Sequence, residues 1–154
     1  MKKGQRAEQL FLEGYNCAQS VLMAFSEEVG MEEKTLARLA SSFGGGMGRM
    51  REVCGAVSGM FMVAGLLYGY DEPTPEENDL AQEKKTACYE MVQKLAEEFK
   101  EKHETILCRE ILDRVQENES HVPEIRSQTY YENRPCQYCV KHAAEIMENY
   151  MKKF

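Results

Sequence analysis

Long alternating runs of β-branched residues are missing from this 154-residue chain. Apolar residues recur instead at helical spacing, so the reading is all-α: a compact bundle of about six to seven helices, one domain over residues 1–154, built round a central apolar helix. Proline is scarce, with four residues, while 43% of the chain is hydrophobic and 29% charged, a balance that excludes disordered and fibrous classes. Basic charge is in deficit. A formal net charge of −7 repels polyanions and argues against nucleic acid as a partner. No basic start followed by an apolar stretch and a small-residue cleavage site opens the chain, which makes the cytoplasm the expected location. There is no internal repeat, no paired acid and base, and no nucleophile beside a histidine, so hydrolase and transferase chemistry has no support.

The one long stretch without charge, from Val53 to Tyr70, reaches the length at which a membrane span becomes a candidate. Four glycines and a serine dilute it, and no other segment resembles it. It reads as the buried central helix rather than a span. Before it, a helix over 3–13 ends at Gly14, and Asn16 caps a second helix that starts at Cys17 and runs to Gly30. A third helix, Glu32 to Phe43, has Leu36, Leu39 and Ala40 inward and stops at Gly44 to Gly48. After the loop of residues 71–78, Asn78 caps a long helix to about Lys102, with Leu80, Ala87, Cys88, Met91, Leu95 and Phe99 inward. Thr105 caps a short helix to Leu112, residues 115–134 form a loop, and Pro135 opens a last helix to about Met151.

Six cysteines in a reducing compartment point to catalysis, metal binding or burial rather than to a disulfide framework. Four of them, Cys17, Cys54, Cys108 and Cys136, fall in the first turn of a predicted helix. Unpaired N–H groups and the positive end of the helix dipole there stabilise a thiolate, and the same geometry suits a metal–thiolate centre. Arg49 and Arg51 add positive charge just before Cys54. Cys88 differs, lying mid-helix on the apolar stripe as a core residue. Cys136 and Cys139 form a C-x-x-C without the strands of a thioredoxin-like fold or a second such pair for a zinc ribbon. His142, one turn beyond Cys139, is a weak metal candidate and reads as a surface residue, while His103 and His121 have no local partner pattern. Gly44 to Gly48 lacks the lysine of a phosphate loop and reads as a sharp connection. Gly45 and Gly46, with Gly55 and Gly59 in G-x-x-x-G spacing, clear side chains from beside Cys54. They are the glycines that could face a cofactor, although close helix packing uses the same vacancy.

Gly14-Tyr15-Asn16-Cys17-Ala18, Phe43 to Gly48, Cys54-Gly55-Ala56-Val57-Ser58-Gly59, Cys108-Arg109-Glu110 and Pro135-Cys136, in this order, resemble the C_GCAxxG_C_C family of redox-active proteins. The resemblance implies a small helical protein in which Cys17, Cys54, Cys108 and Cys136 converge as a dithiol/disulfide centre or as ligands of an iron–sulfur cluster. Related helical domains accompany haem domains in split-Soret cytochromes, where an iron–sulfur centre is present. This chain has no C-x-x-C-H for covalent haem. Cys139 is an addition to the family pattern, and either it or Cys136 is the fourth functional sulfur. The alternative is a structural zinc site or an interaction module using Cys136 and Cys139. The expected partner is a redox protein, and a homodimer is compatible with the reading.

Overall fold

The computed structural model describes residues 1–75, 77–113 and 120–154. Helices dominate it: α1 Lys3–Leu12, α2 Cys17–Met23, α3 Ser26–Val29, α4 Glu33–Ala40, α5 Gly55–Tyr68, α6 Asp79–His103, α7 Cys108–Ile111, α8 Gln128–Asn133 and α9 Cys136–Met151. Among the described residues there is no strand, only an isolated antiparallel bridge between Val53 and Leu107. The chain is all-α, as its periodicity predicts. No helix of the described residues is long and apolar enough to cross a membrane.

The core lies where α2, α5 and α9 meet, closed by α1 on one flank and α6 on the other. Leu10, Phe11, Val21, Leu22, Phe25, Val57, Met60, Leu95, Phe99, Val140 and Met147 are buried within it. Burial of each such side chain is worth about 1.5–3 kcal/mol against exposure, so the apolar stripes rather than local propensity hold these short helices. Where α5 crosses α2 the approach is close. A Cβ at Gly59 would lie 2.8 Å from the Ala18 carbonyl oxygen and 3.0 Å from Val21 Cβ, so this glycine serves helix packing. α5 buries Gly55–Met60, Val63 and Ala64, yet Leu66 near its end is 45% exposed, and the helix is not enclosed along its length.

Several expected boundaries shift. The single helix expected from Cys17 to Gly30 is two, parted at Phe25 (φ −105°, ψ 18°), whose ring is fully buried. Leu39 is 47% exposed, because Leu36 and Ala40, four residues apart, already define the inward face of α4 and Leu39 falls beside it. Leu80 and Ala87 are exposed as well. The 25 residues of α6 span about 37 Å, against about 21 Å for the 14 residues of α5, so the first turns of α6 run past the core. Thr105 is not the residue before α7: Leu107 is, and the Thr105 hydroxyl accepts from the Leu107 N–H at 3.1 Å. Of the expected loop 115–134, residues 115–119 lie outside the described residues. The rest contains α8, capped by Ser127, whose hydroxyl accepts from the Tyr130 N–H.

Candidate functional site

Three local devices carry the cysteines to one place. Asn16 and Gln19 form a reciprocal cap, in which the Gln19 N–H donates to Asn16 Oδ1 at 2.9 Å and the Asn16 N–H donates to Gln19 Oε1 at 3.0 Å. This fixes Cys17 as the first residue of α2. Gly44–Met47 makes one turn with left-handed backbone at Gly45 (φ 66°), Gly46 (φ 67°) and Met47 (φ 65°), closed by Gly48 (φ 59°). Two glycines bear most of that conformation without a Cβ penalty. The turn returns the chain so that the Glu52 N–H donates to the Gly46 carbonyl at 2.9 Å. Next comes the bridge: the Cys54 N–H donates to the Ile106 carbonyl and the Cys108 N–H to the Glu52 carbonyl, both at 2.7 Å. Cys54 and Cys108 are thereby locked side by side, at the starts of α5 and α7.

The first turn of α9 completes the site. Cys17, Cys54, Cys108, Cys136 and Cys139 line one cavity of about 60 Å³, with Gly45, Gly46, Gly55, Arg51, Arg126, Arg134 and Tyr130 around it. The volume is room for only a few water molecules. Cys88 lies elsewhere, half-buried at the margin of the core, and Gly59 is not part of the lining. A wider groove of about 770 Å³, lined by Phe61, Val92, Lys94, Ile106 and Tyr150 among others, contains no cysteine, so chemistry rather than size selects the smaller cavity.

All six cysteines are free thiols, and four of those in the cavity are matched two by two. Cys17 donates a hydrogen bond to Cys136, which raises Cys17 well above the ordinary thiol value while lowering Cys136 to about 7, assisted by Arg134, Arg51 and Arg126 against the cost of burial. Cys139 donates to Cys54. That bond lowers Cys54, helped by the backbone N–H groups of Val57 and Ala56, and raises Cys139 far above its ordinary value. Cys108 stands apart from both pairs: burial raises it, and Arg51 Nη1 donates to its sulfur at 3.7 Å. Backbone N–H groups at a helix start therefore contribute at Cys54, whereas Cys136 is lowered by Cys17 and the arginines, and Cys17 and Cys108 are raised by donation to a partner and by burial respectively. Arg51, which donates to Cys108, also helps lower Cys136. Arg49 points away, its Nε donating to the Ser120 carbonyl at 2.8 Å.

Residues without a pattern in the sequence surround these sulfurs. Arg126 donates to the Phe11 and Tyr15 carbonyls at 2.6 and 2.8 Å and lies over the Phe11 ring. Arg134 lies over Tyr130 and pairs with Glu124. His103 Nδ1 sits 3.8 Å from the Cys139 sulfur, and His103 Nε2 sits 2.9 Å from His142 Nδ1. Both histidines are half-buried and are held below the ordinary histidine value, chiefly by burial. The adjacency of Arg134 to Pro135-Cys136 was a readable signal. The histidines lie 39 residues apart on different helices, and only tertiary packing joins them.

Among the described residues, no three His, Cys, Asp or Glu side chains form a group able to hold a metal ion. The donor chemistry suits iron or zinc, which take about four thiolate or imidazole ligands closing on one centre. Five cysteines line the one cavity, where Cys17 is hydrogen-bonded to Cys136 and Cys54 to Cys139.

No curated protein and no solved structure matches the chain. A model of the C_GCAxxG_C_C family, described as "Putative redox-active protein", matches residues 15–150. That span runs from the residue before the Asn16 cap almost to the end of α9 and takes in every cysteine of the cavity, so the chain belongs to the C_GCAxxG_C_C family.

Proposed function

We propose that the protein is a dithiol/disulfide redox protein in which Cys17 and Cys136 form an outer, exchanging pair and Cys54 and Cys139 an inner pair that stores a second two-electron equivalent. The observation that carries this is the convergence of Cys17, Cys54, Cys136 and Cys139 on one small cavity, hydrogen-bonded two by two, and the lowered values of Cys54 and Cys136 support it. A thiolate is the nucleophile of thiol–disulfide exchange, and one with a pKa near ambient pH is best suited to attack. Cys136 meets that condition. On meeting a disulfide substrate, its thiolate attacks one sulfur, the substrate S–S bond breaks, and one substrate thiolate leaves. Cys17 then gives its proton to the leaving group and attacks Cys136, forming the Cys17–Cys136 disulfide and releasing the second thiolate. The substrate gains two electrons and the outer pair loses two. Exchange with Cys54 and Cys139 re-reduces the outer pair and leaves the disulfide inside.

The test is a thiol count and peptide map after mild oxidation by a small-molecule disulfide. Two disulfides consume four of the six cysteines, leaving Cys88 and Cys108 to react on unfolding, and the map contains Cys17–Cys136 and Cys54–Cys139. A count that stays at six overturns the reading. So does iron held by these cysteines after anaerobic reconstitution, or stoichiometric zinc by elemental analysis, either of which replaces it with a metal centre.

A further inference from the structure

Cys139 is in the middle of a chain of four side chains. On one side it donates to Cys54. On the other its sulfur lies 3.8 Å from His103 Nδ1, within reach of a sulfur hydrogen bond. His103 Nε2 in turn lies 2.9 Å from His142 Nδ1. His103 ends α6 with its ring against Phe99 at 4.6 Å and borders an open cavity of about 460 Å³ that it shares with Glu104, Thr105 and Glu110. The chain therefore begins at a sulfur that is 1% exposed and ends at half-buried imidazoles that reach solvent.

The inner pair needs such a route. Closing it from the Cys54 thiolate and the Cys139 thiol forms one S–S bond, sends two electrons to the Cys17–Cys136 disulfide whose own S–S bond breaks, sets free one proton at Cys139, and takes one up from solvent at the half-buried Cys17. Water has almost no access to that sulfur. Resting on the dithiol reading above, we propose that His103 accepts the Cys139 proton at Nδ1, and that His142, bonded to its Nε2, passes the proton to solvent. A thiol carries one proton, so the Cys139 S–H that donates to Cys54 at rest turns to His103 Nδ1 as Cys54 commits its lone pair to the sulfur it attacks; His103 then donates from Nε2–H to His142 Nδ1, and His142 donates outward from Nε2–H. Burial keeps both rings neutral and so able to accept. The charges facing them are Lys102 beside His103, Glu104 and Glu110 at the cavity edge, Lys141 and Glu145 on α9, and Glu8 on α1. His103 touches the reacting sulfur and is catalytic in that sense, whereas His142 acts through it as a positioning residue.

The experiment follows each disulfide separately in the full chain. Fully reduced protein is mixed with oxidised glutathione over a range of pH, quenched in acid and mapped for Cys17–Cys136 and Cys54–Cys139 against time. With His103→Gln the inner disulfide forms roughly 10²-fold more slowly, at the low end of what a positioned general base supplies. His142→Gln, which leaves the contact with sulfur intact, slows it less. The wild-type rate of inner closure falls as pH drops, because the thiolates and the imidazoles both protonate; His103→Gln loses the imidazole part of that fall and keeps the thiolate part, which outer closure shares. Outer closure at the wild-type rate certifies that each variant is folded. Inner closure at the wild-type rate and with the wild-type pH profile in His142→Gln and in folded His103→Gln overturns the route and leaves the dithiol reading standing. Failure of the inner disulfide to form in the wild type overturns the dithiol reading itself.

Discussion

The outer and inner pairs use the same two functional groups in opposite surroundings. Cys17 and Cys136 are half-buried, and the Cys136 thiolate is held by its partner's hydrogen bond and by three guanidinium groups. Cys54 and Cys139 are 6% and 1% exposed, and the Cys54 thiolate is held by its partner and by two backbone N–H groups, with no cation among its leading influences. Positive charge with access makes a thiolate that can meet a substrate. Dipoles without access make one that can meet only another sulfur of the same chain. The C-x-x-C contributes one sulfur to each pair, so the first turn of α9 is where the two environments join.

The most severe way to break the comparison is Cys136→Ser. It removes the only acidified sulfur with access, and reduction of a small disulfide substrate falls by several orders of magnitude, whereas Cys139→Ser leaves the first turnover intact and removes only the stored equivalent. Single-turnover assays that titrate thiols released per chain separate the two. Equal losses in both variants would erase the distinction between exchange and storage.

Gly46→Ala strikes the shared wall. A Cβ there would lie 2.7 Å from Cys108 Cβ and 2.8 Å from Arg51 Cα, on a residue with φ 67°. Left-handed backbone and overpacking together cost about 2–5 kcal/mol, measured as a drop in urea unfolding free energy. Arg51 and Cys108 are displaced with it, so the outer pair loses a cation while the inner keeps its N–H groups.

Arg134→Gln is gentler and more specific. Alkylation of Cys136 by iodoacetamide is half-maximal near pH 7 in the wild type, following its lowered value, and the variant moves that midpoint upward by about 1 at most, since Glu124 already shares this arginine. The sign carries over to stability. Cys136 titrates at about 7 when folded against an ordinary 9.0. Its ionisation therefore stabilises the fold fully above about pH 9, and that contribution is lost as pH falls to 7. An unmoved midpoint would assign the acidity to Cys17 with Arg51 and Arg126.

How much of this was legible in the sequence depends on the range of the signal. Helical periodicity and the Asn16 cap are local, and both the all-α architecture and the start of α2 follow from them. Cysteines at helix starts were visible one by one, and the structure brings all four to one cavity. What periodicity could not show was partnership. Cys139 read as an extra sulfur and is the partner of Cys54, because one turn of α9 separates it from Cys136 while α5 lies opposite. The Val53–Leu107 bridge joins residues 54 apart through two backbone hydrogen bonds, which leave no side-chain pattern. His142 read as a surface residue and His103 had no local partner pattern for the same reason: the two lie 39 residues apart, and their contact belongs to the way α6 meets α9.

The smallest expected effect tests whether the outer pair depends on its cap. Asn16 Oδ1 accepts the Gln19 N–H at 2.9 Å, and its Nδ2 donates to the Ser41 carbonyl at 3.1 Å. The same side chain thus fixes the first turn of α2 and ties it to the segment leading into the left-handed turn. Asn16→Ala removes both bonds and costs about 1 kcal/mol of unfolding free energy, the usual loss at such a cap. Because α2 has only seven residues, the loss is concentrated at Cys17, whose hydrogen bond to Cys136 loosens as the turn frays. Cys136 then gives up part of its acidity and Cys17 becomes easier to alkylate, while Cys54 and Cys139, held by the bridge and by α9, keep their protection. Labelling all four sulfurs in the folded variant, with mass mapping, checks this: a gain confined to Cys17 places the exchange function on α2's first turn, and a uniform gain would mean that the two pairs open together.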